Sequence, residues 1–137
     1  MEEKVLLNAT ICVPKRGNEI LLAIKTDKIG KGLFNGYGGG IEEGERIIEA
    51  AVREFGEESG ASVVPEDLDK VAVVDFHNTK SDGSTFICRC HIYLVHKWIG
   101  EFTEKEKMIN PTWFGIDNLP FDRLALFTFS PNRVKSK

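Results

Sequence analysis

Residues 39–61 read GGIEEGERIIEAAVREFGEESGA, and this stretch decides the fold. Its apolar positions Ile47, Ile48, Ala51, Val52 and Phe55 recur at spacings of three and four, the period of a helix with one buried face. The spacing predicts a helix from Glu45 to Ser59. Gly60 follows where a left-handed glycine commonly ends a helix.

The acidic residues obey the same period. Glu54 and Glu58 are i and i+4, and Glu57 is three residues from Glu54, so the three carboxylates share nearly one face. Like charges at this spacing cost a few tenths of a kcal/mol per pair on an exposed helix. A divalent cation turns that repulsion into a site, and Mg²⁺ is commonly shared between carboxylates and substrate phosphates. A glutamate-rich face by itself is usually solvated surface; the spacing of the whole stretch carries the metal reading. Glu45 is expected in the first helical turn, favoured by the helix dipole. The preceding Gly36-Tyr37-Gly38-Gly39-Gly40 lets backbone groups approach a phosphate or a metal with few Cβ atoms in the way. Gly56 costs the helix about 1 kcal/mol relative to Ala, and close packing against a neighbour is the plain explanation for it.

Outward from this stretch, Val5–Val13 and Glu19–Lys25 are rich in Val, Ile and Leu around the turn Pro14-Lys15-Arg16-Gly17-Asn18, which predicts a β-hairpin. Thr26–Gly40 holds six of the thirteen glycines and reads as a loop. Val71–Asn78 and Thr85–Trp98 form a second expected strand pair around Lys80-Ser81-Asp82-Gly83, and Pro111–Ile116 is a short strand. Strands, helix, then strands imply an α/β fold with helices packed on a mixed sheet.

A chain of 137 residues fits one domain. A net charge of −3 argues against binding a nucleic acid polymer through its backbone. A small anionic substrate remains compatible, because a metal supplies positive charge. Three cysteines without a CxxC make no disulfide framework. Cys88 and Cys90 fall on one face of a strand and read as core packing. His77, His91 and His96 read as ordinary strand or loop residues. The opening MEEKVLLNATICVPK is not a signal peptide, and no apolar run reaches membrane-spanning length, so a cytoplasmic location is the expectation.

Gly39, five residues, Glu45, seven residues, then Arg53-Glu54-Phe55-x-Glu57-Glu58-x-Gly60-Ala61 resembles the Nudix box, Gx₅Ex₇REUxEExGU, with every fixed letter present and Phe55 and Ala61 at the bulky aliphatic positions. The resemblance implies an α/β/α sandwich around a mixed β-sheet, forming a single domain over residues 1–137. It implies hydrolysis of a nucleoside diphosphate linked to another group, with Mg²⁺ or Mn²⁺. The implied metal ligands are Glu54, Glu57, Glu58 and the Gly38 carbonyl. Arg53 would orient the glutamates, and Glu45 would steady the loop.

A narrower resemblance covers about residue 5 to Phe121. Gly30–Gly39 (GKGLFNGYGG) is similar to the GxGxWNGFGG loop of MutT-like, oxidised-purine nucleoside triphosphatases, Pro111-Thr112-Trp113-Phe114 to their PxWF strand, and Leu119-Pro120-Phe121 to their IPF. That implies a purine hydrogen-bonded by Asn35, with Gly38 and Gly39 beside it and Phe34 as core or pocket wall. The expected reaction is conversion of 8-oxo-dGTP or another oxidised purine triphosphate to monophosphate and pyrophosphate, by a monomer or homodimer. Two departures stand out. The tail after Phe121 lacks the Trp and Asp pair that read the oxidised base, and the short run around Phe127 and Phe129 reads as core. Met108 holds the position of an extra glutamate before PxWF; Glu106 or Glu104 would substitute if the loop holds an insertion, and Glu104-Lys105-Glu106-Lys107 otherwise reads as a solvated charged loop. ADP-ribose, a dinucleoside polyphosphate, an ordinary dNTP and a non-catalytic nucleotide-binding Nudix domain stay open as alternatives.

Overall fold

The structure is a computed structural model and describes residues 5–27, 30–79, 81–125 and 134–136. Its elements are β1 (Val5–Arg16), β2 (Glu19–Lys25), β3 (Phe34–Asn35), α1 (Ile47–Ser59), β4 (Leu68–Thr79), β5 (Thr85–Val95), β6 (Met108–Gly115) and β7 (Val134–Ser136). The strands lie in the order β3-β2-β1-β5-β4-β7, and β6 joins on β2. β1 and β5 run parallel, from Val5 opposite Ile87 to Pro14 opposite Val95, and the remaining pairs are antiparallel. This is the expected mixed α/β fold. Among the described residues α1 is the only α-helix, so the second helical layer of the expected sandwich is not among them.

The predicted hairpin forms, but β1 and β2 pair only at their tips, through Lys15 with Ile20 and Arg16 with Glu19. Beyond that the two strands splay, and the glycine loop enters the gap. Thr10 N–H donates to the Gly39 carbonyl (2.9 Å), while Cys12 and Tyr37 exchange backbone bonds of 2.6 and 2.8 Å. The loop therefore satisfies the edge of β1 that β2 leaves bare. The turn is tighter than expected: Gly17 adopts φ +56°, while Pro14 to Arg16 remain in β1.

The helix begins two residues later than its periodicity predicts. Arg46 is its N-cap, with the Glu49 carboxylate accepting the Arg46 backbone N–H at 2.8 Å. Glu45 thus stands before the first turn, where a bond to Arg53 outweighs the attraction of the helix dipole. Gly60 closes the helix at φ +82°, as expected.

Strand alternation sorts the side chains onto two faces. Cys12, Leu21, Ala23, Tyr93 and Val95 pack against Ala51 and Phe55 of α1, and Phe55 is fully buried. The opposite face of β1, β5 and β4 carries Ala9, Ile11, Cys88, Cys90, Val74 and Phe76. Among the described residues no helix is long and apolar enough to cross a membrane.

Candidate active site

The polar face of α1 is organised by Arg53. Its Nε donates to Glu45 Oε2 (2.7 Å) and its Nη2 to Glu45 Oε1 (3.0 Å) and the Gly40 carbonyl (3.1 Å). Its Nη1 reaches Glu54 at 2.7 Å and Glu57 at 3.2 Å. One guanidinium therefore ties the loop before the helix to two carboxylates on it. The Arg53 bonds, helped by the Glu42 backbone N–H, pull the Glu45 carboxyl down to about 2. These bonds reciprocally raise the Arg53 guanidinium.

The glycines before the helix fit against neighbours. A Cβ at Gly38 would run into the backbone carbonyl of Thr10, and one at Gly36 would meet the Ile11 and Val13 side chains and the Cys12 carbonyl. A Cβ at Gly39 would overlap the Glu54 carboxylate. Within the fold itself, the steric demand comes from β1 and from Glu54.

Glu58 is half-buried beside the glycine loop. Gly38 N–H donates to its Oε1 at 2.9 Å. Burial, reinforced by the nearby Glu54 charge, pushes its carboxyl up to about 7, against the opposing pull of the Gly38 bond, Lys25 and Lys107.

Two cavities meet at Glu58. One, about 290 Å³, is lined by Glu54, Glu57, Glu58, Lys105, Glu106 and Lys107. The other, about 260 Å³, is mostly apolar, with Ala9, Ile11, Phe76, Cys88 and Cys90 on its walls and Asn35, Asn78, Lys25 and Glu58 as polar groups. A charged cleft opening beside an apolar pocket suits a ligand with a polyanionic end and a flat, weakly polar end.

The expected residues are partly brought together. Glu54, Glu57, Glu58 and Glu106 share the charged cleft. The segment carrying Glu106 is held to the end of β2 by Thr26, whose N–H bonds the Lys107 carbonyl (3.1 Å) and whose hydroxyl bonds the Glu106 carbonyl (2.7 Å). Glu104 turns elsewhere, accepting the backbone N–H of Asn110 at 2.7 Å, where φ is +53°. Met108 is buried in the helix-side core. Asn35, Gly38 and Gly39 line the apolar cavity, and the Asn35 side-chain oxygen also accepts Gly36 N–H at 2.9 Å. Of the two readings of Phe34, its surroundings are those of core. It alternates with Asn35 on β3 and packs with Leu22 and Leu124, its ring edge-on to Phe114 at 4.9 Å, away from the described cavity wall. The readings of Phe127 and Phe129 lie outside the described residues. Lys25, Asn78, Lys105 and Lys107 were not singled out from the sequence. The last two read there as a solvated loop, and only the fold turns that loop onto α1.

The donor set fits a hard divalent ion. The cleft offers carboxylate oxygens, and Arg53 holds two of them in place. Among the described residues no three His, Cys, Asp or Glu side chains already converge on one point. Mg²⁺ does not demand that, because it usually takes one or two carboxylates and completes its shell with water and substrate phosphate.

Residues 5–133 match the NUDIX domain. The chain belongs to the Nudix family. It is 35% identical over 115 residues to the oxidized purine nucleoside triphosphate hydrolase of Danio rerio, covering 84% of this chain and 70% of that protein. It is 38% identical over 112 residues to the Mus musculus protein of the same name, covering 82% and 68%. The crystal structure of a MutT NUDIX hydrolase from Burkholderia pseudomallei superimposes with a TM-score of 0.73 at 26% identity, over 87% of this chain and 88% of that one. Nudix hydrolases generally work with divalent metal ions, in keeping with the oxygen donors of the cleft.

Proposed function

We propose that this Nudix hydrolase converts an oxidised purine nucleoside triphosphate, 8-oxo-dGTP or a close relative, with water into the monophosphate and pyrophosphate, clearing damaged nucleotides from the precursor pool. Residues 1–137 act as one domain in this reading. The observation that carries it is Glu58, the common wall of the charged cleft and the apolar pocket. The relatives named above act on oxidised purine triphosphates by their names, and the pocket offers a flat base apolar walls with the polar groups of Asn35 and Asn78.

When bound, Mg²⁺ polarises phosphoryl oxygens and lowers the pKa of a water beside them. Glu54, Glu57, Glu58 and Glu106 are the residues that would hold it, with the Gly38 carbonyl as a further donor. The chain supplies positioning. Gly38 N–H fixes one oxygen of Glu58, and Arg53, clamped by Glu45, sets Glu54 and Glu57. Lys105 and Lys107 bring positive charge to the cleft and oppose the charge of the phosphates. Phosphoryl transfer asks mainly for such positioning and neutralisation.

The test is a panel of triphosphates with Mg²⁺, reading the released phosphate species. Pyrophosphate release and a kcat/KM for 8-oxo-dGTP at least about tenfold above dGTP are expected. A ratio near one removes the sanitising role and leaves the hydrolase class intact. Orthophosphate as the product overturns the stated bond cleavage.

A further inference from the structure

Cys88 and Cys90 alternate on β5 so that both face the apolar cavity, with their sulfurs 4.0 Å apart. Cys88 is partly exposed and Cys90 is buried. The third thiol, Cys12, lies on the helix side with its sulfur 3.8 Å from the Ala51 carbonyl, and burial pushes it up to about 12. Two thiols of three therefore border a space large enough for a reagent, and Cys88 is the more exposed of them.

We propose that Cys88 is a covalent modification site in the wall of the nucleotide cavity, with a hydroperoxide as its reagent class and Cys90 as its hydrogen-bond partner. The inference rests on the proposed function only in taking this cavity as the place of the base.

The neighbouring groups favour a nucleophile at Cys88. The bond to Cys90 lowers the Cys88 thiol against burial, while Cys90 itself is raised. Lys25, on the same cavity, pulls in the same direction, and Asp75 opposes it. Two bonds from Arg89 at 2.8 and 3.0 Å counter the Asp75 charge. The Cys88 thiolate attacks one peroxide oxygen. The S–O bond forms as the O–O bond breaks, sulfur gives up two electrons, and the other oxygen leaves as hydroxide or alkoxide. The product is a sulfenic acid.

The pair resists closing to a disulfide. Residues two apart on an extended strand have Cα atoms about 6.8 Å apart, the outer limit for a disulfide bridge. Cys88 and Cys90 are paired with Leu7 and Ala9 on one side and with Phe76 and Val74 on the other, so β5 cannot buckle freely to shorten that span. The oxidised sulfur then remains as a polar group on a wall otherwise formed by Ala9, Ile11 and Phe76, and it competes with a flat base for that surface.

The experiment treats the full chain with hydrogen peroxide, traps sulfenic acid with dimedone and maps the adduct by peptide mass spectrometry. Cys88 is expected to label at least about tenfold faster than Cys12 or Cys90, since an accessible low-pKa thiol reacts first. The Cys88→Ser variant, with its fold checked by circular dichroism, is expected to lose the adduct. Cys90→Ala is expected to slow labelling of Cys88. 8-oxo-dGTP in the presence of EDTA, which prevents turnover, is expected to shield Cys88. Labelling of Cys12 ahead of Cys88 overturns the modification site. Rapid Cys88 labelling without nucleotide protection overturns its place in the nucleotide cavity. A chain that labels and is protected but does not prefer 8-oxo-dGTP over dGTP leaves this inference standing and sinks the substrate reading.

Discussion

Gly39 lies so close to Glu54 that any side chain at residue 39 would occupy the space of the Glu54 carboxylate. The first glycine of the box is thus a steric partner of the glutamate that follows Arg53 on α1. Gly38, one residue earlier, has its conflict with the backbone of Thr10. A flexible carboxylate can move aside and a paired strand cannot. Gly39→Ala is therefore expected to fold, with a loss under about 1.5 kcal/mol, and to lower kcat/KM by roughly 100-fold as Glu54 leaves its place. Gly38→Ala is expected to lose more than about 2 kcal/mol of stability. Denaturant melts beside kinetics separate the two, and equal stability losses in both variants would contradict the packing described here.

Glu58 links catalysis to pH. Its carboxyl, raised to about 7 in the metal-free fold, holds a proton that the unfolded chain has already released above its ordinary 4.5. Between those values the native state binds more protons, so this group makes the metal-free protein less stable as pH rises. A divalent ion competes with the same proton, so metal affinity is expected to increase through pH 7 with proton release. Glu58→Gln is expected to flatten the stability slope and to lower kcat at least about 100-fold. Thermal melts in EDTA across pH 4.5–8, beside metal titrations, check both signs; a wild-type slope retained in the variant would assign the proton elsewhere.

Gly56 has no packing requirement in the structure, contrary to the expectation of a close neighbour. A Cβ there would meet only the Ala61 carbonyl at 3.7 Å, an ordinary contact. Gly56→Ala is expected to stabilise the protein by about 0.5–1 kcal/mol through helix propensity. A melting point raised by about 2–5 °C is the readout, and a lower one would reveal a constraint at that site.

Glu106 and Glu104 are separated by their partners. Glu106 belongs to the charged cleft, whereas the Glu104 carboxylate closes the turn at Asn110. Glu106→Gln is expected to weaken metal binding about tenfold or more with little change in melting. Glu104→Gln is expected to cost about 1 kcal/mol of stability at most and to leave metal affinity near wild type. Calorimetric metal titration of both variants decides, and the reverse pattern would place the loop in another register.

The helix and its carboxylate ladder were legible because they depend on short-range spacing. Period alone puts Phe55 inward and Glu54, Glu57 and Glu58 together. The start of α1 was read two residues early, since a carboxylate before a helix satisfies the same local rule whether it faces the dipole or Arg53 eight residues later. The same limit applies at Phe34. An aromatic beside Asn35 reads equally as core or pocket wall until strand alternation on β3 sends the two side chains to opposite faces.

The sequence by itself determined the family, the mixed α/β class and the glutamates of the charged cleft, because periodicity and a fixed motif are local properties of the chain. Tertiary structure decided which distant residues join them. The splay of β1 from β2 admits the glycine loop and places Gly38 on Glu58. The hold of Thr26 on residues 106–107 brings Glu106 and two lysines to the cleft. The two-residue repeat of β5, legible as a shared face, became a cavity wall only when β1 and β4 closed around it, so that Cys88 both packs on that core and lines the cavity. Contacts between residues dozens of positions apart are set by sheet order and register, which no local pattern encodes.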